Sequence, residues 1–314
     1  MKYLVAGGAG FIGSHLANYL AQASEFNEVY VVDNLSTGNI ENLDSKVIFI
    51  QGDITEESFV TSMSEENFDV VFNLACPASP VQYQKAPLDT IFANVHGTYL
   101  LLSLAYKCKA RFFQASTSEV YGDPTVHPQK EDYKGNVNTW GPRACYDEGK
   151  RLAETLCYEF LNIGLDVRVA RIFNTYGPHM AVDDGRVVSN FIVQSLRGQD
   201  LTVYGDGSQT RSFCYVDDLV AGIIDLMRKP ENAMHPVNLG NPNEFKMIEL
   251  AQKVLTLTKS EGKIQYHPLP FDDPKQRKPD IEVAMKFLEW EPKIQLEEGL
   301  KETIEYFRSK LNAL

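Results

Sequence analysis

Lys2 to Ala6 is a short apolar run that breaks into Gly7-Gly8-Ala9-Gly10-Phe11-Ile12-Gly13, and a helical pattern follows through Ala21. A strand, a glycine turn and a helix in that order leave few choices of fold. The glycines let the backbone turn tightly and approach a pyrophosphate, while the helix N-terminus offers N–H donors and a positive dipole. Glu28 to Asp33 then reads as a second strand ending in an acid, 20 residues beyond Gly13. A carboxylate there accepts hydrogen bonds from an adenosine ribose diol and repels a 2′-phosphate. Asn34 follows rather than arginine, which favours NAD over NADP.

The same alternation continues. Val47–Gln51 reads as a strand leading to Asp53 and Ile54, placed towards the adenine side. Asp69–Leu74 is a continuous apolar strand, Ala93–Lys107 a helix, Arg111–Ala115 a strand, Asp147–Asn162 a helix and Asp166–Ala170 a strand. Continuous apolar strands separated by helices mean an α/β, doubly wound parallel sheet covered on both faces. Beyond about residue 175 the pattern changes to loops rich in Gly, Asp and Arg with shorter helices. The expected division is therefore 1–174 for dinucleotide binding and 175–314 for a smaller C-terminal substrate-binding lobe, with the helix at 216–228 crossing back.

Net charge −12 argues against nucleic acid or an anionic membrane as the main partner. No apolar run approaches the roughly 20 residues that span a bilayer. Met1 to Val5 runs straight into the glycines without a cleavage region, which makes the cytoplasm the simplest address. The five cysteines form no CxxC pair and no zinc-ligand spacing with the six histidines, so no metal site is expected.

Ligands of such a sheet bind at the C-terminal ends of its strands. Three loops leave those ends: Cys76–Pro80 with Tyr83 and Lys85 behind it, Ser116–Gly122, and Arg171–Pro178. A fourth element should join them, the helix carrying Tyr146 and Lys150. Their spacing puts phenol and ammonium on one face. A lysine held there favours the phenolate and lowers its pKa towards neutrality, ready to take a proton from a sugar hydroxyl. The spacing alone is common, since Tyr306 and Lys310 repeat it in a charged C-terminal helix. Thr117, at a strand end, is placed to hydrogen-bond the reacting oxygen. Glu119 either transfers a proton or orients water, or is a solvated loop acid.

Taken together, these motifs resemble the extended short-chain dehydrogenase/reductase family, whose cofactor domain is Rossmann-like. They are the glycine fingerprint, Asp33, Asn94-Val95-His96-Gly97-Thr98, Thr117, the Tyr146–Lys150 pair and Arg171 to Gly177. Within the family the chain is most similar to the UDP-glucuronate decarboxylases, through CPASP at Cys76–Pro80, TSEVYG at Thr117–Gly122, GPRACYDEGKR at Gly141–Arg151 and QRKPD at Gln276–Asp280. One departure is Ala6, where many relatives carry threonine.

The resemblance implies a lyase that makes UDP-xylose and CO₂ from UDP-glucuronate with catalytic NAD, and a homodimer formed through the helices near Asn94–Lys107 and Tyr146. It implies catalytic roles for Tyr146, Lys150, Thr117, Glu119 and Arg277. The cofactor set is Gly7, Gly10, Phe11, Ile12, Gly13, Asp33, Asn34, Asp53, Ile54 and Leu74, with Tyr146 and Lys150. The UDP-sugar set is Tyr83, Lys85, Asn174, Tyr204 and three arginines for the diphosphate, Arg211, Arg277 and Arg186. A UDP-sugar epimerase of the same family and a non-catalytic dinucleotide sensor are the other readings.

Overall fold

The computed structural model describes residues 1–230, 235–269 and 276–312. Its first half runs β1 (Lys2–Ala6), α1 (Phe11–Ala23), β2 (Glu28–Asp33), β3 (Ile48–Gln51), α2 (Glu57–Ser62), β4 (Val70–Asn73), α3 (Pro80–Lys85), α4 (Pro87–Phe92), α5 (Thr98–Cys108), β5 (Arg111–Thr117), α6 (Ala144–Asn162) and β6 (Val167–Ile172). The second half adds β7 (Thr175–Tyr176), α7 (Val187–Leu196), β8 (Leu201–Tyr204), β9 (Thr210–Ser212), β10 (Cys214–Tyr215), α8 (Val216–Arg228), β11 (Val237–Leu239), β12 (Glu244–Lys246), α9 (Met247–Thr258), β13 (Ile264–His267), β14 (Gln276–Arg277) and α10 (Leu296–Asn312). Of the turn-rich segment at 270–279, residues 270–275 lie outside the described residues.

One parallel sheet of seven strands in the order β11-β6-β5-β4-β1-β2-β3 organises the molecule. Successive residues of each strand feed two separate cores. Val5, Phe72 and Phe113 pack with α1 and α8 on one face. Leu4, Ala6, Val71 and Phe112 pack with α5 on the other. Burial on both faces is why the strands carry no polar alternation; each fully buried Val, Leu or Phe contributes about 1.5–3 kcal/mol.

The chain reverses direction across the sheet between β1 and β4, and the crevice opens there, outside the strand ends. Gly7 lies at φ +75°, and a Cβ on it would sit 2.7 Å from the backbone of Leu74 and Ala75. The glycine turn therefore rests directly on the end of β4.

The return of the chain is more extensive than a single helix. β11 joins the sheet beside β6, with Val237 opposite Ala170, and α8 packs on α1 and β6. The remaining elements build a smaller lobe from α7, α9 and α10 and three small sheets, β10-β7, β13-β8 and β12-β9-β14.

Two helices differ from the sequence expectation. The helix expected at 93–107 is divided, with a π-helical turn over Ala93–Gly97 before α5. Asn94 is buried in that turn and lies against Gly149 of α6, where an added Cβ would meet Asn94 Cβ and Nδ2 at 3.1 Å. Helix α6 starts at Ala144, three residues before the expected Asp147, because Arg143 O already accepts bonds from Tyr146 N and Asp147 N at 3.0 Å each. Tyr146 thereby lies within the first turn of α6, on the same helix as Lys150. Among the described residues no helix is long and apolar enough to cross a membrane.

A Cβ at Gly13 would lie 2.1 Å from Gly7 O, a clash with backbone that no rotamer relieves. Gly13→Ala is expected to destabilise the protein by about 1–3 kcal/mol, as overpacking does. The urea midpoint of the variant against the parent protein checks this.

Candidate active site

The ends of β1, β4, β5 and β6, the start of α6 and the second lobe enclose one cleft of about 1330 Å³. That exceeds the roughly 300–1,000 Å³ typical of a single small-molecule pocket, and it has room for two extended ligands. Gly7, Gly10, Phe11, Ile12, Gly13, Asp33, Asn34, Asp53, Ile54 and Leu74 all line it.

At the cofactor end, Gly10 caps α1 without any side-chain bond, leaving the first N–H groups of the helix to a ligand. Asp33 accepts bonds from Ala9 N at 3.0 Å and Leu35 N at 2.9 Å, which fixes its carboxylate against the turn. Each of its oxygens keeps a second lone pair for a ribose diol. Asn34 donates to Asp53 Oδ2 at 2.9 Å, and Thr55 donates to Asp53 Oδ1. These residues fit an NAD adenosine and pyrophosphate: the glycines make a cradle that a Cβ would fill, and the acid stands where a diol arrives.

Tyr146 and Lys150 are both buried on α6, with Lys150 Nζ 5.8 Å from the Tyr146 ring centroid. Lys150 Nζ donates to Ala115 O at 2.9 Å at the end of β5, which fixes the ammonium below the ring. Thr117 hydrogen-bonds the Tyr146 phenol. The rings of Tyr83 and Tyr146 stack at 5.1 Å and 6°, so the phenol is held on a second side.

The expectation that Lys150 depresses the phenol's pKa does not hold for the protein alone. Burial pushes the Tyr146 phenol well above its usual value, Cys76 nearby adds to this, and the bond from Thr117 only partly opposes it. Burial also lowers the pKa of Lys150. The cost of an anion away from water exceeds the help of one ammonium already bonded to a carbonyl.

Glu119 follows Thr117 in a 3₁₀ turn over Ser118–Tyr121, and its backbone N–H donates to the Thr117 hydroxyl at 3.2 Å. Its carboxylate is not a solvated loop acid. Arg143 Nη2 and Arg277 Nη2 both donate to Oε2, the latter at 2.9 Å. Arg277 is almost wholly buried and also donates from Nη1 to Ser118 O at 2.6 Å. Burial opposes ionisation of Glu119, but Arg277 and Arg143, with Arg211 farther off, outweigh it and hold the pKa at about 2. At neutral pH Glu119 is thus ionised, an acceptor with no proton of its own to give.

Arg211 and Arg277 come together because β9 and β14 pair in parallel with those two residues in register. Both line the cleft, as do Asn174 and Tyr204. Arg186 lines it too, but lies 5.6 Å over the Phe11 ring and grips Asp184 with Nε and Nη2, which places it beside the glycine turn. Lys85 is exposed on the last turn of α3 and is absent from the cleft lining, because its neighbours Tyr83 and Gln82 take the inward positions. Arg143 and Cys76 had no individual role in the sequence reading. Arg143 sits 24 residues from Glu119 in the chain, so no local pattern connects them.

The sequence profile of the NAD dependent epimerase/dehydratase family matches residues 3–240, and the chain belongs to that family. NAD is accordingly its cofactor. UDP-glucuronic acid decarboxylase 6 of Arabidopsis thaliana is 52% identical over 317 residues, covering 99% of this chain and 90% of that protein. UDP-glucuronic acid decarboxylase 1 of Danio rerio is 51% identical over 311 residues, covering 99% and 73%. Among solved structures, the UDP-glucose 4-epimerase of Thermotoga maritima with UDP-glucose superposes with a TM-score of 0.92 at 32% identity, covering 99% of this chain and 100% of that one.

Since the folded pKa of Glu119 lies below the ordinary 4.5, its ionised form contributes stability that is complete above 4.5 and vanishes as the pH falls through about 2. Glu119→Gln is expected to be less stable than the parent at pH 7, with the gap closing as the pH falls below 4.5. Thermal unfolding of both proteins across that range measures it.

Proposed function

We propose that this protein is a UDP-glucuronate decarboxylase that forms UDP-xylose and CO₂. The observation that carries this reading is the meeting, in one cleft, of a hydroxyl-oxidising set with a carboxylate locked to Arg277. Thr117, Tyr146 and Lys150 form the first; Glu119 forms the second. The names of the relatives at about half identity over nearly the full chain support it.

Tyr146 takes the proton of the sugar C4 hydroxyl, and Thr117, bonded to the same phenol, steadies the C4 oxygen. NAD⁺, held by the glycine turn and Asp33, would supply the acceptor for the C4 hydride and the donor for its return, and would be left unchanged overall. The C4 ketone stands β to the C6 carboxylate, and loss of CO₂ leaves its electron pair at C5 as an enolate. Glu119, ionised, orients the water that returns a proton to C5, while Arg277 fixes Glu119 from the second lobe. Overall one proton is consumed for each carboxylate released as CO₂. Arg211, with Arg277 beside it, supplies the diphosphate with guanidinium donors, whose planar fork suits that geometry. Tyr204 and Asn174 face the nucleotide and sugar ends.

A homodimer in the cytoplasm completes the proposal. Leu88, Tyr99, Leu152 and Tyr158 are exposed on α4, α5 and α6, a grouping of large apolar side chains that a symmetry mate would cover. All five cysteines are free thiols, as suits a reducing compartment.

Incubation with UDP-glucuronate and no added NADH is expected to yield CO₂ and a UDP-pentose. An isomeric UDP-uronate without CO₂ would show an epimerase, and no turnover by NAD-loaded protein would show a sensor. Tyr146→Phe is expected to lower the first hydride transfer by roughly 10²–10⁴-fold, read as loss of transient reduced cofactor on mixing. For the dimer, Tyr99→Glu combined with Leu152→Glu is expected to reduce the mass in sedimentation from twice to once the 35.3 kDa of the chain.

A further inference from the structure

Glu119 is gripped on one side only. Both guanidinium bonds, from Arg143 Nη2 and Arg277 Nη2, end on Oε2. The residue lines the cleft, so Oε1 is the oxygen left for a ligand there. Arg277 approaches from β14 in the second lobe. Arg143 approaches from the N-cap of α6, three residues before Tyr146, and its own carbonyl closes the helix turn that contains the phenol.

We infer that Arg143 is a positioning residue for the steps after oxidation: by sharing Glu119 Oε2 with Arg277, it keeps the carboxylate ionised with Oε1 turned to the substrate. This inference rests on the decarboxylase reading above. Arg277 alone could pair with Glu119 in a fork, taking both oxygens, as arginine prefers with a free carboxylate. A second guanidinium on the same oxygen, with Arg277 Nη1 already committed to Ser118 O, forbids that arrangement.

The charged and titratable groups facing Glu119 are Arg277 and Arg211 from the paired strands β14 and β9, Arg143 and Tyr146 from α6, and Tyr83 from α3. Asp147 lies 3.8 Å from Arg143 Nε and shares its charge. Arg143 is thus balanced by two carboxylates. Its effect on an incoming uronate is exerted through Glu119, not as an unopposed cation for the sugar carboxylate. Its loss should be felt after oxidation more than in substrate affinity.

The test uses the full-length, NAD-loaded protein with UDP-glucuronate. Arg143→Ala is expected to lower kcat by roughly tenfold or more with KM changed by less than about threefold. The first hydride transfer should continue, so reduced cofactor should accumulate in the steady state above the parent level. The acid limb of the rate profile should move up towards the ordinary 4.5 of a glutamate, as one of the two flanking charges is lost. Arg143→Lys, which keeps the charge but not the fork, should recover part of the rate. With Glu119→Gln the effects should be non-additive, since both changes remove one interaction.

Loss of the first hydride transfer in Arg143→Ala would overturn the inference and leave Arg143 as part of the Tyr146 helix start. Additive effects with Glu119→Gln, or an unmoved acid limb, would overturn it as well. If Arg143→Ala fails to fold, the same readouts on Arg143→Lys decide between these outcomes. Failure of the parent protein itself to release CO₂ would instead overturn the decarboxylase reading, so the two failures are distinguishable.

Discussion

A carboxylate shielded from water between guanidinium groups stays charged only while those groups are in place. Glu119 is such a carboxylate: it stands in the turn after β5, and its two bonded partners come from distant parts of the chain, the start of α6 and β14 of the second lobe. Docking of the lobe onto the sheet, the register of β14 against β9 and the position of the first turn of α6 are tied to that one group. Removal of either partner leaves the carboxylate with only part of the positive charge that offsets its burial. The arrangement therefore links the integrity of the fold to the chemistry of the cleft.

The sheet explains why those parts can meet. With β1 and β4 adjacent and the chain diverging to either side, the strand ends face a single crevice. Gly7 rests on Leu74 and Ala75 because no side chain intervenes, which brings the cofactor turn against the end of β4. Gly149 does the same for α6 against Asn94. The first of these close approaches lines the cleft, and the second seats α6, which carries Tyr146, against the π-helical turn.

Burial gives the two acid–base groups opposite characters. Tyr146 has burial acting on it, reinforced by Cys76, Glu119 and Asp147 and opposed by the Thr117 hydroxyl, and so its proton is held tightly. Glu119 has burial opposed by two adjacent full charges, and its proton is lost at about pH 2. In the proposed reaction, a phenol whose proton is tightly held and a carboxylate that is an acceptor at neutral pH divide the work of oxidation and reprotonation between two residues.

Much of this was legible from residue order alone, because the signals are local. A strand, a glycine turn and a helix are contiguous, apolar strands show as continuous runs, and Tyr146 with Lys150 shares a helix face by spacing. What failed or was missed depends on contacts between residues far apart. Lys85 stands beside Tyr83 in sequence, yet α3 turns it outwards. Arg186 lines the cleft, and its contacts with Asp184 and Phe11, which set it beside the glycine turn, could not be read from its neighbours in sequence. The direction of the Tyr146 pKa depends on how much water packing excludes, which spacing does not encode. The sequence by itself determined the sheet, the cofactor turn and the oxidising pair, since each is specified within a few residues. Only the tertiary structure decided the state of Glu119 and the part of Arg143, since a charge in a protein interior is set by whatever the fold brings within a few ångströms of it.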